Sequence, residues 1–330
     1  MNKEYTSTRT VTEDHSLPVI ALVVPCYNEH DVLPLSAPIL SGVLRCMADD
    51  GIASDKSFIL FVNDGSRDDT WQIIQSLHKA DNIYKGISLA HNRGQQNAML
   101  AGLMTVRPLC DAAITVDADL QDSPEAIIDM VKEFNGGADV VYGVRSSRQS
   151  DTWFKRNSAR MFYKLQRNLG LETVYDHSEF RLMSQRSLDI LSEYGESNLF
   201  LRGIFPNIGL NKAIVTYERT ARMAGETKYP LSKLISTSID GITSFTAQPM
   251  RLIFIVGLAL LLIDIIIAIW VLMSHFNGVA ISGWASLMLS VWFLGSLILI
   301  ALGIIGEYIG KIFVEVKHRP RYNVAESLLD

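Results

Sequence analysis

Cysteine is scarce, at three in 330 residues, and Cys26, Cys46 and Cys110 form neither a CxxC pair nor a spaced ligand set. A thiolate metal site is thereby excluded, and the three read as reduced, small buried side chains of a cytosolic domain. Positive charge is also short. Thirty Lys and Arg stand against 35 Asp and Glu, a formal net charge of -5, without the basic footprint that a nucleic-acid partner requires. The opening stretch MNKEYTSTRTVTEDHSLP lacks the apolar core of a signal peptide and predicts a flexible lead-in over residues 1–17. The chain has no internal repeat and no low-complexity tract.

What is present in excess is apolar side chain, 48% hydrophobic against 20% charged, more than most soluble proteins carry. The excess is local. Two long apolar runs, 252–273 and 284–306, each match the ~20 residues that cross a bilayer as a helix. Arg251 precedes the first, Lys311, Lys317, Arg319 and Arg321 follow the second, and the link 274–283 carries no Lys, Arg, Asp or Glu. Positive flanks place both termini on the cytoplasmic side of the inner membrane, as a multi-pass protein. The expected organisation is a water-soluble domain over 18–229, an interfacial helix over 230–250, a two-helix transmembrane hairpin over 251–307 and a cytoplasmic tail over 308–330.

In the first 230 residues, short apolar runs at 19–24, 58–62, 86–89, 112–116 and 140–142 read as strands buried on both faces. They alternate with helical patterns at 32–47, 70–78, 95–106 and 124–134, which predicts an α/β fold with a mostly parallel sheet. Ligands then gather at the C-terminal strand ends. PCYNE, NDGSRDD, HNRG and DADLQD all fall there. Two further segments are amphipathic. Over 151–171, Phe154, Met161, Phe162, Leu165 and Leu169 form a stripe among Lys155, Arg156, Arg160, Lys164 and Arg167, suited either to an anionic membrane surface or to packing on its own domain. Over 230–246, Leu231, Leu234, Ile235, Ile239, Ile242 and Phe245 keep helical spacing just before the first apolar run.

Asp117, Asp119 and Gln121 in DADLQD offer oxygen ligands at a strand end, suited to Mg²⁺ or Mn²⁺ that also holds diphosphate oxygens. Asp122 or Ser123, ahead of Pro124, is expected to cap the next helix. The turn of Asn63, Asp64, Gly65, Ser66 and Asp68 presents amides and carboxylates fit to hydrogen-bond a base and ribose.

Taken in order, VVPCYNE, VNDGSRDDT, HNRGQQNAMLAGL, VDADLQDSPE, VYGVRSSR, DHSEFRLMSQR, FLRG and ERTARMAGETKYPL resemble family 2 glycosyltransferases. Within them the chain is similar to the polyprenyl-phosphate branch, which includes bactoprenol glucosyltransferases and dolichol-phosphate mannose synthases. The resemblance spans nearly the whole sequence, the paired apolar runs and the tail KHRPRYNV included.

The resemblance implies a GT-A (Rossmann-like) fold and inverting transfer of a hexose, UDP-glucose being the first donor to test, onto undecaprenyl or another polyprenyl phosphate. It implies that Asp117, Asp119 and Gln121 hold the metal, and that Pro25, Tyr27, Glu29, Asn63, Asp64, Asp117, Ala118 and Arg145 line the nucleotide-sugar site. Asp176, Glu179 and Arg202 would sit at the reacting sugar, and Arg181, Arg202, Arg219, Arg222 and Lys228 would face the acceptor phosphate. Implied partners are the nucleotide sugar, the polyprenyl phosphate, the membrane, further copies of the chain, a flippase and a downstream transferase. Asn63 stands where Asp is usual, Arg93 where Phe is common, and Ser178 with Glu179 where Gly and Asp are more frequent. Donor preference therefore stays open between UDP-glucose, UDP-GlcNAc, UDP-galactose and GDP-mannose.

A lipid phosphate monoester has a second pKa of about 6 and is largely ionised at neutral pH, so the nucleophile needs little deprotonation. Asp176 then serves either as base or as electrostatic stabiliser. A processive polysaccharide synthase would carry a QxxRW motif and more spans, and neither is present. A membrane scaffold that binds nucleotide sugars for a partner is the non-enzymatic alternative. Asp264 lies near the middle of the first apolar run, where a charged carboxylate costs about 2.5–3.5 kcal/mol. A protonated side chain packed in a helix or subunit interface is expected.

Overall fold

The computed structural model describes residues 17–145, 177–196, 201–218 and 283–330, with single positions between 253 and 273. Four strands, β1 (Ile20–Cys26), β2 (Phe58–Asn63), β3 (Tyr84–Leu89) and β4 (Ala112–Thr115), are each followed by a helix. These helices are α1 (Leu33–Asp49), α2 (Thr70–Ala80), α3 (Gln95–Val106) and α4 (Glu125–Asn135). The strands read as continuous apolar runs because helices cover both sheet faces. Along β1 the side chains alternate between them. Ile20, Leu22 and Val24 join Leu33, Leu40, Ile127 and Met130 of α1 and α4, while Ala21 and Val23 join Ala98, Leu100 and Leu103 of α3. Gly102 lets α3 settle on the sheet, since a Cβ there would run into Val23 and Val62.

Beyond α4 come β5 (Val140–Arg145), β6 (His177–Ser184), α5 (Gln185–Ser192), α6 (Leu201–Asn207), β7 (Lys212–Tyr217), α7 (Trp284–Val316) and β8 (Val324–Leu328). The sheet order is β7-β5-β6-β4-β1-β2-β3-β8. β6 runs antiparallel to β4 and β5, and β8 antiparallel to β3, whereas the remaining pairings are parallel. The sheet is therefore mixed but mostly parallel, as the strand and helix alternation predicts.

Three strands escape the apolar-run reading. β6 carries Glu179 and Arg181, β7 is a half-exposed edge, and β8 lies in the tail after the apolar runs with most of its residues exposed. Cys46 also departs from expectation. Cys26 and Cys110 are buried, but Cys46 sits on the exposed side of α1.

Helix α7 spans 33 residues, and its portion Phe293–Val316, whose most apolar 18 residues have a mean hydropathy of 2.1 with none of them buried, is long and apolar enough to cross a membrane. It continues past Gly306, where the sequence reading ends the second span, through Glu307, Lys311 and Glu315. It is the one helix among the described residues that meets this criterion. Of the first apolar run only single helical positions are described, among them the exposed Ile255, Leu262, Ile266 and Met273. Asp264 and both amphipathic segments, 151–171 and 230–246, lie outside the described residues.

Candidate active site

The C-terminal ends of β4, β1, β2 and β3 lie side by side, so the loops after them form one strip. The loops after β1 and β2 are laced together by backbone donors. Asn28 N donates to Ser66 Oγ at 3.0 Å, Arg67 N to Asn28 Oδ1 at 2.9 Å, and Glu29 N to Thr70 Oγ1 at 2.9 Å. Asn28 takes a φ of +55°, a left-handed conformation that Asn tolerates better than most residues. Gly65, at φ +62°, packs so tightly that a Cβ would lie 2.5 Å from Asn92 N and 2.6 Å from His91 C.

These loops enclose a cavity of about 420 Å³ lined by Tyr27, Asn63, Gly65, Ser66, Trp71, Ser88 and His91, among others. Asn63 is buried in its wall, donating to Ser88 Oγ at 2.9 Å and accepting from Ser66 N at 3.1 Å. Its neutral amide serves both contacts. Asp64 does not line the cavity. Its two carboxylate oxygens accept from Arg93 N at 2.7 Å and Gly94 N at 2.9 Å, so it pins the HNRG loop. Burial pushes the Asp64 carboxyl above its usual range, and the two backbone donors and His91 oppose the shift.

At the end of β4 the DADLQD turn is tight. Leu120, buried, takes a φ of +47°, a conformation that costs a non-glycine residue about 1–3 kcal/mol and concentrates at functional sites. Asp117 accepts from Gln95 Nε2 at 2.9 Å, and Asp119 accepts from Gln121 Nε2 at 2.7 Å. Ala118 and Gln121 are buried. Among the described residues no three His, Cys, Asp or Glu side chains cluster as a metal site. Two carboxylates with one amide still fit a hard divalent cation of the Mg²⁺ type, which takes one or two protein carboxylates and completes its shell with water and substrate phosphate.

Asp122 does not cap α4. It is buried, accepts from Tyr217 Oη at 2.5 Å and lies 3.6 Å from Arg145 Nη2; α4 instead starts after Pro124 with no side-chain cap bond. Burial opposes the charge on Arg145, but Tyr217, Asp122 and Asp117 outweigh it and raise its pKa. Among the described residues, Arg145 Nε is buried without a hydrogen-bond partner.

Glu179 and Arg181 also differ from the sequence expectation. Arg181 is 1% exposed, donates to Glu179 Oε2 at 2.6 Å and lies 4.8 Å from the Phe205 ring centroid. Its guanidinium thus points into the interior rather than toward an acceptor phosphate. Glu179 also accepts from Gln96 Nε2 at 2.9 Å, and Gln96 Oε1 accepts from Leu201 N at 3.2 Å. Among the described residues, both β6 side chains link α3, β6 and α6. Pro25 is in register with Val62 at the end of β1, and Glu29 follows with its carbonyl accepting from Val32 N and Leu33 N at 3.1 and 3.0 Å. Arg202 belongs to α6 with its side chain outside the described set, and Asp176, Arg219, Arg222 and Lys228 lie outside the described residues.

Sequence reasoning gave no role to Gln95, Gln96, Trp71, Ser88 or His91. A signal existed for the glutamines, two amides directly after Gly94 at a helix start. Trp71 and Ser88 had none, because their value comes from the meeting of α2 with β3.

The sequence model described as glycosyl transferase family 2 matches residues 21–192. An uncharacterized glycosyltransferase of Bacillus subtilis is 45% identical over 309 residues, covering 94% of this chain and 92% of its own. A prophage bactoprenol glucosyl transferase homolog of Escherichia coli is 36% identical, covering 92% of this chain and 97% of its own. Among solved structures, mannosyl-3-phosphoglycerate synthase from Rubrobacter xylanophilus is 18% identical and covers 71% of this chain and 74% of its own at a TM-score of 0.48.

Proposed function

We propose, because the chain belongs to glycosyl transferase family 2, that it moves a hexose from a nucleoside diphosphate donor, UDP-glucose first, to a polyprenyl phosphate at the cytoplasmic membrane face. The observation that carries this reading is the strip of strand ends. A cavity at β2 and β3 is of a size for a base and ribose, and the Asp117 and Asp119 carboxylates stand at β4 with β1 between them. A diphosphate would lie between them, over the loop after β1 that carries Tyr27. The lipid acceptor is supported by the relatives named bactoprenol glucosyl transferase and by the exposed apolar helix α7.

In this reading Asp117 and Asp119, with Gln121, would hold Mg²⁺ or Mn²⁺, which would supply charge screening to the diphosphate. Tyr27 and Asn63 contact the nucleoside from the cavity wall. Arg145 supplies charge beside Asp117 through its unpartnered Nε, where a guanidinium matches phosphate geometry. Asp176 stands at the sugar, and Arg202, Arg219, Arg222 and Lys228 orient the lipid phosphate. The phosphate oxygen attacks the anomeric carbon, the carbon–oxygen bond to the nucleoside diphosphate breaks, and configuration inverts. The interfacial helix 230–250, a hairpin 251–307 with both termini cytoplasmic, and assembly with further copies, a flippase and a downstream transferase complete the proposal.

Detergent-solubilised protein incubated with undecaprenyl phosphate and a panel of labelled UDP- and GDP-sugars tests it. Label entering the lipid phase from one donor supports transfer and names the sugar. Label retained on protein with no lipid product would favour a nucleotide-sugar scaffold instead.

A further inference from the structure

The chain after α7 returns to the sheet and pairs with β3, Gly86 opposite Leu328 and Ser88 opposite Glu326. Directly opposed residues of an antiparallel pair share a face, here the face covered by α2. Trp71, in the first turn of α2, lines the cavity between β2 and β3. Its indole Nε1 donates to Glu326 Oε2 at 3.1 Å, and Gln75 Nε2 reaches the same oxygen at 3.5 Å. Beneath the ring, Gly86 has no side chain. A Cβ there would come within 3.3 Å of the Trp71 ring, 2.6 Å of Ile74 and 3.5 Å of Leu328. The indole is therefore seated on bare β3 backbone, with Leu328 and Ile74 beside it and Glu326 on its polar end.

The strand is fastened at several points. Ala90 N donates to Asn323 O at 2.9 Å, Lys85 Nζ to Leu329 O at 2.5 Å, and Arg321 Nη2 to Tyr194 O at 2.6 Å. Glu326 does not line the cavity. What it controls is the pose of a residue that does.

We propose that β8 is a positioning element of the nucleotide pocket, in which Glu326 and Leu328 fix the Trp71 indole in the pose that receives the nucleoside. The inference rests on the nucleotide-binding reading of that cavity and deepens it: donor affinity depends on a segment that directly follows the apolar helix. Glu326 is a positioning residue and makes no contact with the reacting atoms.

Binding of UDP and GDP to full-length protein, measured by calorimetry, together with steady-state kinetics, tests this. Loss of this exposed hydrogen bond is expected to weaken the preferred diphosphate by about threefold in Glu326→Ala. Glu326→Gln, whose amide oxygen still accepts the indole N–H, is expected to stay close to the unsubstituted protein. The donor KM rises with Kd, while kcat and the acceptor KM hold. In a Trp71→Phe background Glu326→Ala adds no further loss, because the shared donor is already gone. An unchanged Kd in Glu326→Ala overturns the proposal, as do additive effects in the double variant. A parallel fall in kcat, acceptor affinity and melting temperature would make β8 merely structural and also overturns it. Unsubstituted protein that binds neither diphosphate refutes the nucleotide reading itself, and this inference with it.

Discussion

The Arg181 guanidinium lies 2.6 Å from the Glu179 carboxylate, and both are almost wholly removed from solvent. Removing one partner of such a pair leaves the other charge buried, at about 3–5 kcal/mol. Arg181→Ala is expected to be destabilised to that extent in denaturant titration, and Arg181→Ala with Glu179→Gln less so. Unchanged stability with a raised KM for lipid phosphate would return Arg181 to the acceptor site.

His30 Nδ1 lies 2.8 Å from Asp68 Oδ2, and this contact sets a pH window. The Asp68 hydrogen bond raises the His30 pKa, with Asp31 adding to it. Burial pushes Asp68 up, but bonds from Thr70 and His30 outweigh it and hold the carboxyl below its usual range. The His30 contribution is complete below its unfolded value near 6.5 and is lost as pH rises through the raised folded value. The Asp68 contribution is complete above about 3.9 and is lost as pH falls through its lowered value. Melting temperatures of His30→Asn and the unsubstituted protein should therefore differ more at pH 5.5 than at pH 8.5. An equal difference at both would contradict the assignment.

Gly65→Ala combines a left-handed backbone with a Cβ against His91 and Asn92. Conformation alone costs about 1–2 kcal/mol, and relieving the overlap must part the two loops that wall the cavity. The donor KM is expected to rise about tenfold or more, with the acceptor KM unchanged. A donor KM that does not move would separate this cavity from donor binding.

The central strands were readable because burial on both faces leaves an apolar run, and β1 to β5 emerge near their predicted positions. β6 hid because its interior side chains include the Glu179 and Arg181 pair, two charges that break the apolar run. β8 hid because an exposed edge strand carries no apolar signature. The DADLQD carboxylates were legible at a strand end. The roles of Asp64 and Asp122 were not, since a carboxylate that pins a loop reads in sequence like one that binds ligand, and one that pairs with Tyr217 reads like a helix cap.

The most direct measurement is transfer of labelled sugar from the preferred nucleotide donor to undecaprenyl phosphate by purified full-length protein in Mn²⁺ or Mg²⁺, set beside Asp119→Ala and beside added EDTA. The account predicts label in the lipid phase for the unsubstituted protein and a loss of about a hundredfold or more in each of the other two. Full transfer by Asp119→Ala in the presence of EDTA would contradict it.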